Sequence, residues 1–508
     1  MSEPSISARF FINASVNPDK LAVVCEGDKL SYQELAQRVL EWSHLLQSNG
    51  AARGDHLAVI LPNSLEFVVV MLVAADLGLV LVPLNTSLPI TALDVAITRA
   101  DVQHIIASPT VAKALERSSI QQQGLWLSCK LGDSSLGTIH GTLSAPKAYR
   151  QEPYNLGRLS DPYILTMTSG STAEPKPIIL SQQTKVLRAE AAMSLYGVTG
   201  DDNVLAATPL YHSLAERLVV MPLLCGATAV VINRYSAEHW LETVQKFQIS
   251  FTMAVSSQLK QIKELLEKDK TFRVNSLRCV VSSSAALEHE VKERLITLLG
   301  CHFHECYGTS EVATVTDLNE SDDQTKLVSV GKAITGVDIQ ILAGDRRLAG
   351  IGETGEIICK TPMQFSGYYA QPDSTERSLW RGYFCTGDIG FLDKDGYLHY
   401  RGRIKELIIT GGINVYPVDV EAVVASFEGV YECAVYALPD EQLGEVVAVA
   451  VVPEQGANID ERRLRYHCVQ QLADYQLPRK ISIVEQLPKN TMGKVVRRKL
   501  PQQLEALL

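Results

Sequence analysis

Five short apolar runs, HLAVILP, DVQHIIAS, ATAVVIN, SFTMAVSS and LRCVVSSS, are separated by segments of helical spacing and turn residues. This alternation favours parallel sheets covered by helices, because each crossover between parallel strands must carry the chain back over one face of the sheet. The longest apolar stretch, Leu65 to Leu84, has the length of a membrane span, but Glu66, Asp76, Gly78 and Pro83 interrupt it. It reads instead as a buried helix from about Glu66 to Leu77, a turn at Gly78 and the buried strand LVLVP, which makes one more α/β crossover.

After about Gly331 the runs become shorter and richer in glycine and charge. VDIQILAG, GEIICK and GYLHYRGR read as antiparallel strands of a β-rich subdomain. From Glu406 onward ELIITGG, VEAVVASFEGVYECAVYALPD, VVAVAVVPE and RRLRYHCVQQL alternate strand and helix over enough chain for a small α/β domain. No internal repeat or low-complexity linker separates these parts, so the connection is short and falls near GRIKE, residues 402–406. The fold class is therefore α/β, and 508 residues imply roughly two to five domains.

Composition narrows the function. With 46% hydrophobic and 20% charged residues the chain is an ordinary folded protein, and a net charge of −10 gives no broad attraction for nucleic acid or anionic lipid. The start MSEPSISARFFINASVNPDK lacks the basic and apolar regions of a secretory signal, so a cytoplasmic location is expected. Ten scattered cysteines without CxxC pairs suit reduced core thiols. Cys301, His302, His304 and Cys306 offer zinc-type ligands, but a strand would place alternate members on opposite faces. A strand ahead of a loop is the preferred reading over a zinc site.

The most informative segment is ILTMTSGSTAEPKPIILS, residues 164–181. Thr168, Ser169, Gly170, Ser171 and Thr172 can present backbone N–H groups and hydroxyls, and Lys176 adds a point charge, a combination suited to polyphosphate. It is not a Walker A loop, since Lys176 lies between two prolines and no hydroxyl follows it. Alone, the cluster reads equally well as a surface loop.

Further segments follow in order: TPLYHS at 208–213, YGTSE at 307–311, YFCTGDIG at 383–390, YRGRIKELIITGGINVYP at 400–417 and LPKNTMGKVVRRKL at 487–500. Together with the loop they resemble the adenylate-forming superfamily over nearly the whole chain, and its acyl- and aryl-CoA synthetase branch in particular. The resemblance implies a large N-terminal AMP-binding domain, residues 1–402, of two α/β subdomains and a β-rich one. It also implies a small mobile α/β C-terminal domain, residues 403–508, hinged near Lys405. The implied reaction joins a small-molecule carboxylic acid to ATP as an acyl-adenylate, with release of pyrophosphate, and then to CoA as a thioester. A stand-alone enzyme loading a carrier protein, and a catalytically weakened binding paralogue, are the alternatives. The resemblance allows a homodimer.

The resemblance also implies residue roles. Residues 168–172 and Lys176 hold the β- and γ-phosphates. Thr309 contacts the α-phosphate; Glu311 and Thr172 supply oxygen ligands for Mg²⁺. Asp388 accepts from the ribose hydroxyls, and Arg403 is a second nucleotide contact. Lys494 reaches the reacting carboxylate and α-phosphate, where a charged donor stabilises the transition state directly. Outside these motifs Asp388 would be a turn residue, Glu311 a loop acid and Lys494 a solvated lysine.

The implied acyl pocket lies beside Tyr211, His212, the segment SSSAAL with Ser283 and Ser284, and Tyr307-Gly308, and the resemblance also counts Ser283, Ser284, Tyr307 and Gly308 among the ATP- and AMP-binding residues. His212 matches a gate between that pocket and the thiol tunnel, with a structural histidine as the alternative. Gly411 and Gly412 match a loop that approaches the pantetheine arm. Amino-acid-activating relatives carry an Asp near Tyr211-His212-Ser213; its absence disfavours an α-amino acid. Arg217 could pair with a second substrate carboxylate, but Glu216 beside it favours an exposed helix. Ala173 and Pro177 replace the second and third glycines of the usual T-S-G-[ST]-T-G-x-P-K-G pattern. Where the backbone needs φ > 0, Ala costs on the order of 1 kcal/mol and Pro also removes an N–H.

Overall fold

The computed structural model describes residues 3–117, 124–132, 135–140, 143, 151–168, 176–490 and 494–505. The five apolar runs form His56–Ile60, His104–Ala107, Thr228–Val231, Phe251–Val255 and Cys279–Ser283, each paired in parallel with its neighbours. They belong to two large sheets. One runs from Lys332–Ala333 through Ala313–Asn319, His302–Thr309, Cys279–Ser283, Phe251–Val255, Asn203–Ala206, Thr228–Val231 and Leu21–Cys25 to Asp28–Ser31. The other is centred on Pro162–Thr168, Val80–Pro83, His56–Ile60 and His104–Ala107.

Helix Leu65–Leu77 is buried along its whole length and touches strands of both sheets, Leu21–Cys25 on one side and His56–Ile60 and Val80–Pro83 on the other. Ser64 caps its start by accepting the Phe67 N–H at 3.2 Å, and Gly78, at φ 70°, ends it in the left-handed conformation. The acids that break the apolar run are consumed locally. Glu66 accepts the Gly132 N–H at 2.9 Å, and Asp76 accepts those of Tyr154 and Asn155 at 3.3 and 2.8 Å. Among the described residues no helix is long and apolar enough to cross a membrane.

The β-rich part is an antiparallel sheet of Asp338–Leu342, Gly355–Lys360, Tyr383–Leu392 and Leu379–Trp380, with Leu398–Arg403 paired to Tyr383–Leu392. A one-turn 3₁₀ helix, Ile404–Glu406, then leads into a fourth sheet of Ile408–Thr410, Ile413–Val415, Gly444–Pro453, Val430–Asp440 and Lys480–Ile483. Helices Pro417–Ala425 and Glu461–Gln471 pack on it through Val420, Val424, Leu464 and Cys468, which gives this smaller α/β part a core of its own. The chain is thus a large N-terminal α/β part followed by a small C-terminal one.

Candidate active site

Ligand sites in open parallel sheets lie beyond the carboxyl ends of the strands. Ser283 ends the strand Cys279–Ser283, and Tyr307, Gly308 and Thr309 end His302–Thr309. His212 precedes helix Ser213–Cys225 as its N-terminal flanking residue. These ends open into a cleft of about 690 Å³, whose wall also includes Lys176, Glu311, Arg403, Lys405 and Lys494. The cleft therefore joins residues from three sheets and from the C-terminal part.

The Tyr307–Glu311 segment turns sharply. A Cβ on Gly308 would lie 1.8 Å from the Ala313 carbonyl oxygen across the hairpin, so only glycine permits this approach. Thr309 Oγ1 is buried and makes no hydrogen bond among the described residues, and it borders the cleft. Glu311 Oε1 accepts the Tyr368 hydroxyl at 3.2 Å, and the Lys176 ammonium stands 5.1 Å from the Tyr368 ring centroid. Among the described residues no lysine or arginine forms an ion pair with Glu311. Its hard carboxylate oxygens remain suited to Mg²⁺.

Cross-strand pairing brings Asp388 and Arg403 together: they face one another in the hairpin of Tyr383–Leu392 and Leu398–Arg403. Asp388 Oδ2 accepts the Tyr307 hydroxyl at 2.9 Å. Oδ1 lies 3.2 Å from Arg403 Nε, off the line of a hydrogen bond, and is left with acceptor capacity. Burial raises the Asp388 carboxyl above its ordinary range, opposed by Arg403 and the Tyr307 hydroxyl. A buried acceptor carboxylate and the buried Thr309 hydroxyl fit a ligand that brings its own donors and a phosphate.

Lys494 enters from the C-terminal part, its N–H donating to Asn490 Oδ1 at 2.9 Å. Burial holds its ammonium below the usual lysine range, reinforced by Arg403 and Arg497 and opposed by Glu406 and Asp388. Arg497 ties the one-turn helix Ile404–Glu406 to the rest of the C-terminal part by pairing with Glu406 at 2.8 Å and Glu421 at 2.9 Å. His212 is neutral at physiological pH because burial pulls it down to about 4. The Tyr211 ring lies 4.6 Å from that of His212. Ser283 and Ser284 line the cleft, Ser284 at φ 77°.

Not every expected residue comes to the cleft. Gly411 and Gly412, at φ 57° and 82°, turn the exposed hairpin between Ile408–Thr410 and Ile413–Val415, as a two-residue turn with positive φ at both positions requires. Lys405 is exposed on the one-turn helix at the cleft rim. Ser169, Gly170, Ser171, Thr172 and Ala173 lie outside the described residues, as does the side chain of Thr168. Pro177 sits in the strand Lys176–Ser181, opposite Met167, with its carbonyl accepting the Tyr369 N–H at 2.9 Å. Its extended backbone suits proline, and the cost is one ladder hydrogen bond on a short edge. Pro177→Gly is therefore expected to leave steady-state activity within about threefold of wild type; a severe loss would mean that proline tunes the loop.

The reading of Glu216 and Arg217 as an exposed helix is wrong. Glu216 is fully buried and pairs with the equally buried Lys185, while Arg217, only 8% exposed, turns to the cleft. Sequence reasoning also missed Tyr368 and Arg188. Arg188 donates to the carbonyls of Ser310 and Glu311, each at 3.0 Å, and to that of Met363 at 3.0 and 2.9 Å. The only hint was a pair of cations, Lys185 and Arg188, set among the buried positions of helix Gln182–Tyr196. The expected strand ahead of a loop is present at His302–Thr309, where His302 pairs with Glu320 and His304 with Asp317.

A two-part α/β chain with a cationic, oxygen-rich cleft between its parts is the architecture of an enzyme acting on a nucleotide polyphosphate and an acid. The chain belongs to the AMP-binding enzyme family, matching it over residues 10–369 and the AMP-binding enzyme C-terminal domain over residues 419–494. It is 28% identical over 95% of its length to feruloyl-CoA synthase of an Amycolatopsis species, covering 96% of that protein. It is 28% identical to the long-chain-fatty-acid–CoA ligase FadD13 of Mycobacterium tuberculosis, with 94% of each chain covered. Among solved structures, ATP-bound MatB from Rhodopseudomonas palustris superposes with a TM-score of 0.88 at 26% identity, covering 99% of both chains.

Proposed function

We propose that this chain is an AMP-forming acid–thiol ligase that activates a carboxylic acid with ATP and transfers the acyl group to CoA. The observation that supports it best is the convergence of Lys494, from the end of the chain, on a cleft that also holds Lys176, Thr309, Glu311 and Arg403. Carboxylate attack on a phosphate opposes two negative charges, so this step needs cations and donors more than an acid or base. In this reading Lys494 neutralises the attacking carboxylate and α-phosphate, Thr309 donates to the α-phosphate, and Lys176 with the loop 168–172 takes the leaving pyrophosphate. Asp388 accepts from the ribose hydroxyls. Glu311 is the carboxylate that would hold Mg²⁺, which supplies charge neutralisation on the phosphates.

The thiol then attacks the acyl carbonyl and AMP leaves. Neutral His212 borders the cleft where acid and thiol would meet. The division into residues 1–402 and 403–508, hinged at Lys405, lets Lys494 withdraw between the two half-reactions. Hydroxylamine trapping across aliphatic, aromatic and dicarboxylic acids is expected to yield acid-dependent hydroxamate and AMP, with thioester formed on free CoA. Thioester on a holo-carrier alone would replace CoA as acceptor. Nucleotide binding without acid-dependent pyrophosphate exchange would replace the enzyme with a binding protein.

A further inference from the structure

We infer that Arg217 is the specificity residue of the acyl site and that the acid activated here carries a second carboxylate, which the Arg217 guanidinium binds. This rests on the adenylating function proposed above. Arg217 is 8% exposed and lines the cleft with Met253, Cys306 and Thr314. Its Nη1 donates to Thr314 Oγ1 at 3.2 Å, and its buried Nε has no hydrogen-bond partner. No carboxylate among the described residues forms an ion pair with it, since the neighbouring Glu216 is turned to Lys185. Arg188, another buried cation, faces the same region, and the buried cations Lys185, Arg188 and Arg217 outnumber the carboxylates of Glu216 and Glu311 that act on them.

A buried guanidinium without a counter-charge is costly, and a planar fork with free donors is the geometry that receives a carboxylate. The place is also right. Thr314 pairs across the hairpin with Gly308, next to Thr309, so a second carboxylate on Arg217 belongs to the same small molecule whose first carboxylate reacts. An apolar acid would leave Arg217 desolvated and unpaired.

The test uses matched acids in which one carboxylate is replaced by methyl: succinate against butanoate, glutarate against pentanoate, adipate against hexanoate, and isophthalate against 3-methylbenzoate. Binding to the full chain with a non-hydrolysable ATP analogue is followed by calorimetry, and AMP release is measured separately. At least one diacid is expected to exceed its monoacid partner about 100-fold in affinity and in kcat/KM. Arg217→Met should remove that preference, mainly through KM, and Arg217→Lys should restore part of it. Equal or tighter binding of every monoacid by the wild-type protein would overturn the inference while leaving adenylation intact. Diacid binding that depends on Arg217, without AMP release, would support the inference and remove the adenylating reading instead.

Discussion

Lys494→Ala is expected to lose acid-dependent adenylation by about 10²–10³-fold while thioester formation from a synthetic acyl-adenylate persists near the wild-type rate. The ammonium lines the cleft with Arg403 and near the buried Asp388, and there, partly withdrawn from water, a single cation counts for more than on the open surface. Pyrophosphate exchange reads the first half-reaction and acyl-CoA formation from the preformed adenylate reads the second. Equal loss in both would remove the proposal that the C-terminal part withdraws between steps. A pH profile adds an independent reading. Because burial lowers the Lys494 pKa, adenylation should fall on the alkaline side before an ordinary lysine would deprotonate, and thioester formation from the adenylate should lack that limb.

Apolar patterning made the architecture legible because it records burial directly. The run Leu65 to Leu84 became a helix wedged between two sheets and the strand Val80–Pro83, and the GRIKE segment became the one-turn passage into the last sheet. The candidate residues Lys176, Glu311, Asp388 and Lys494 were singled out for a different reason: their types suit one chemistry and their order resembles one family. Arg217 was misread because burial of a charged helix residue depends on what other helices bring to it. Glu216 has its counter-ion on helix Gln182–Tyr196, and no local rule links Lys185 to it. Once Glu216 is committed there, the surface pairing that made Arg217 look solvated no longer exists.

Arg188 follows the same logic, and its substitution is the second large expected effect. The guanidinium is 1% exposed, and its donors are spent on the carbonyls of Ser310, Glu311 and Met363. Burial lowers its pKa to about 9, with Arg217 adding to the shift and Glu216 and Glu311 opposing it. Such a cation is retained at a cost, and what it does here is fix the backbone that carries the Glu311 carboxylate. Arg188→Met should therefore release that segment, and a misplacement of about 1 Å can cost about 10²-fold in rate. Loss of the three carbonyl contacts should also lower stability by about 2–4 kcal/mol, partly offset by relief of repulsion with Arg217. A purely structural role and a positioning role separate on Mg²⁺ dependence, measured at a temperature where the variant is folded. If Arg188 positions Glu311, the Mg²⁺ concentration for half-maximal adenylation rises in Arg188→Met and excess Mg²⁺ recovers part of the rate. Arg188→Lys, which keeps a donor but loses the fork, should fall between the two. An unchanged Mg²⁺ requirement in a folded Arg188→Met protein would leave Arg188 as packing alone.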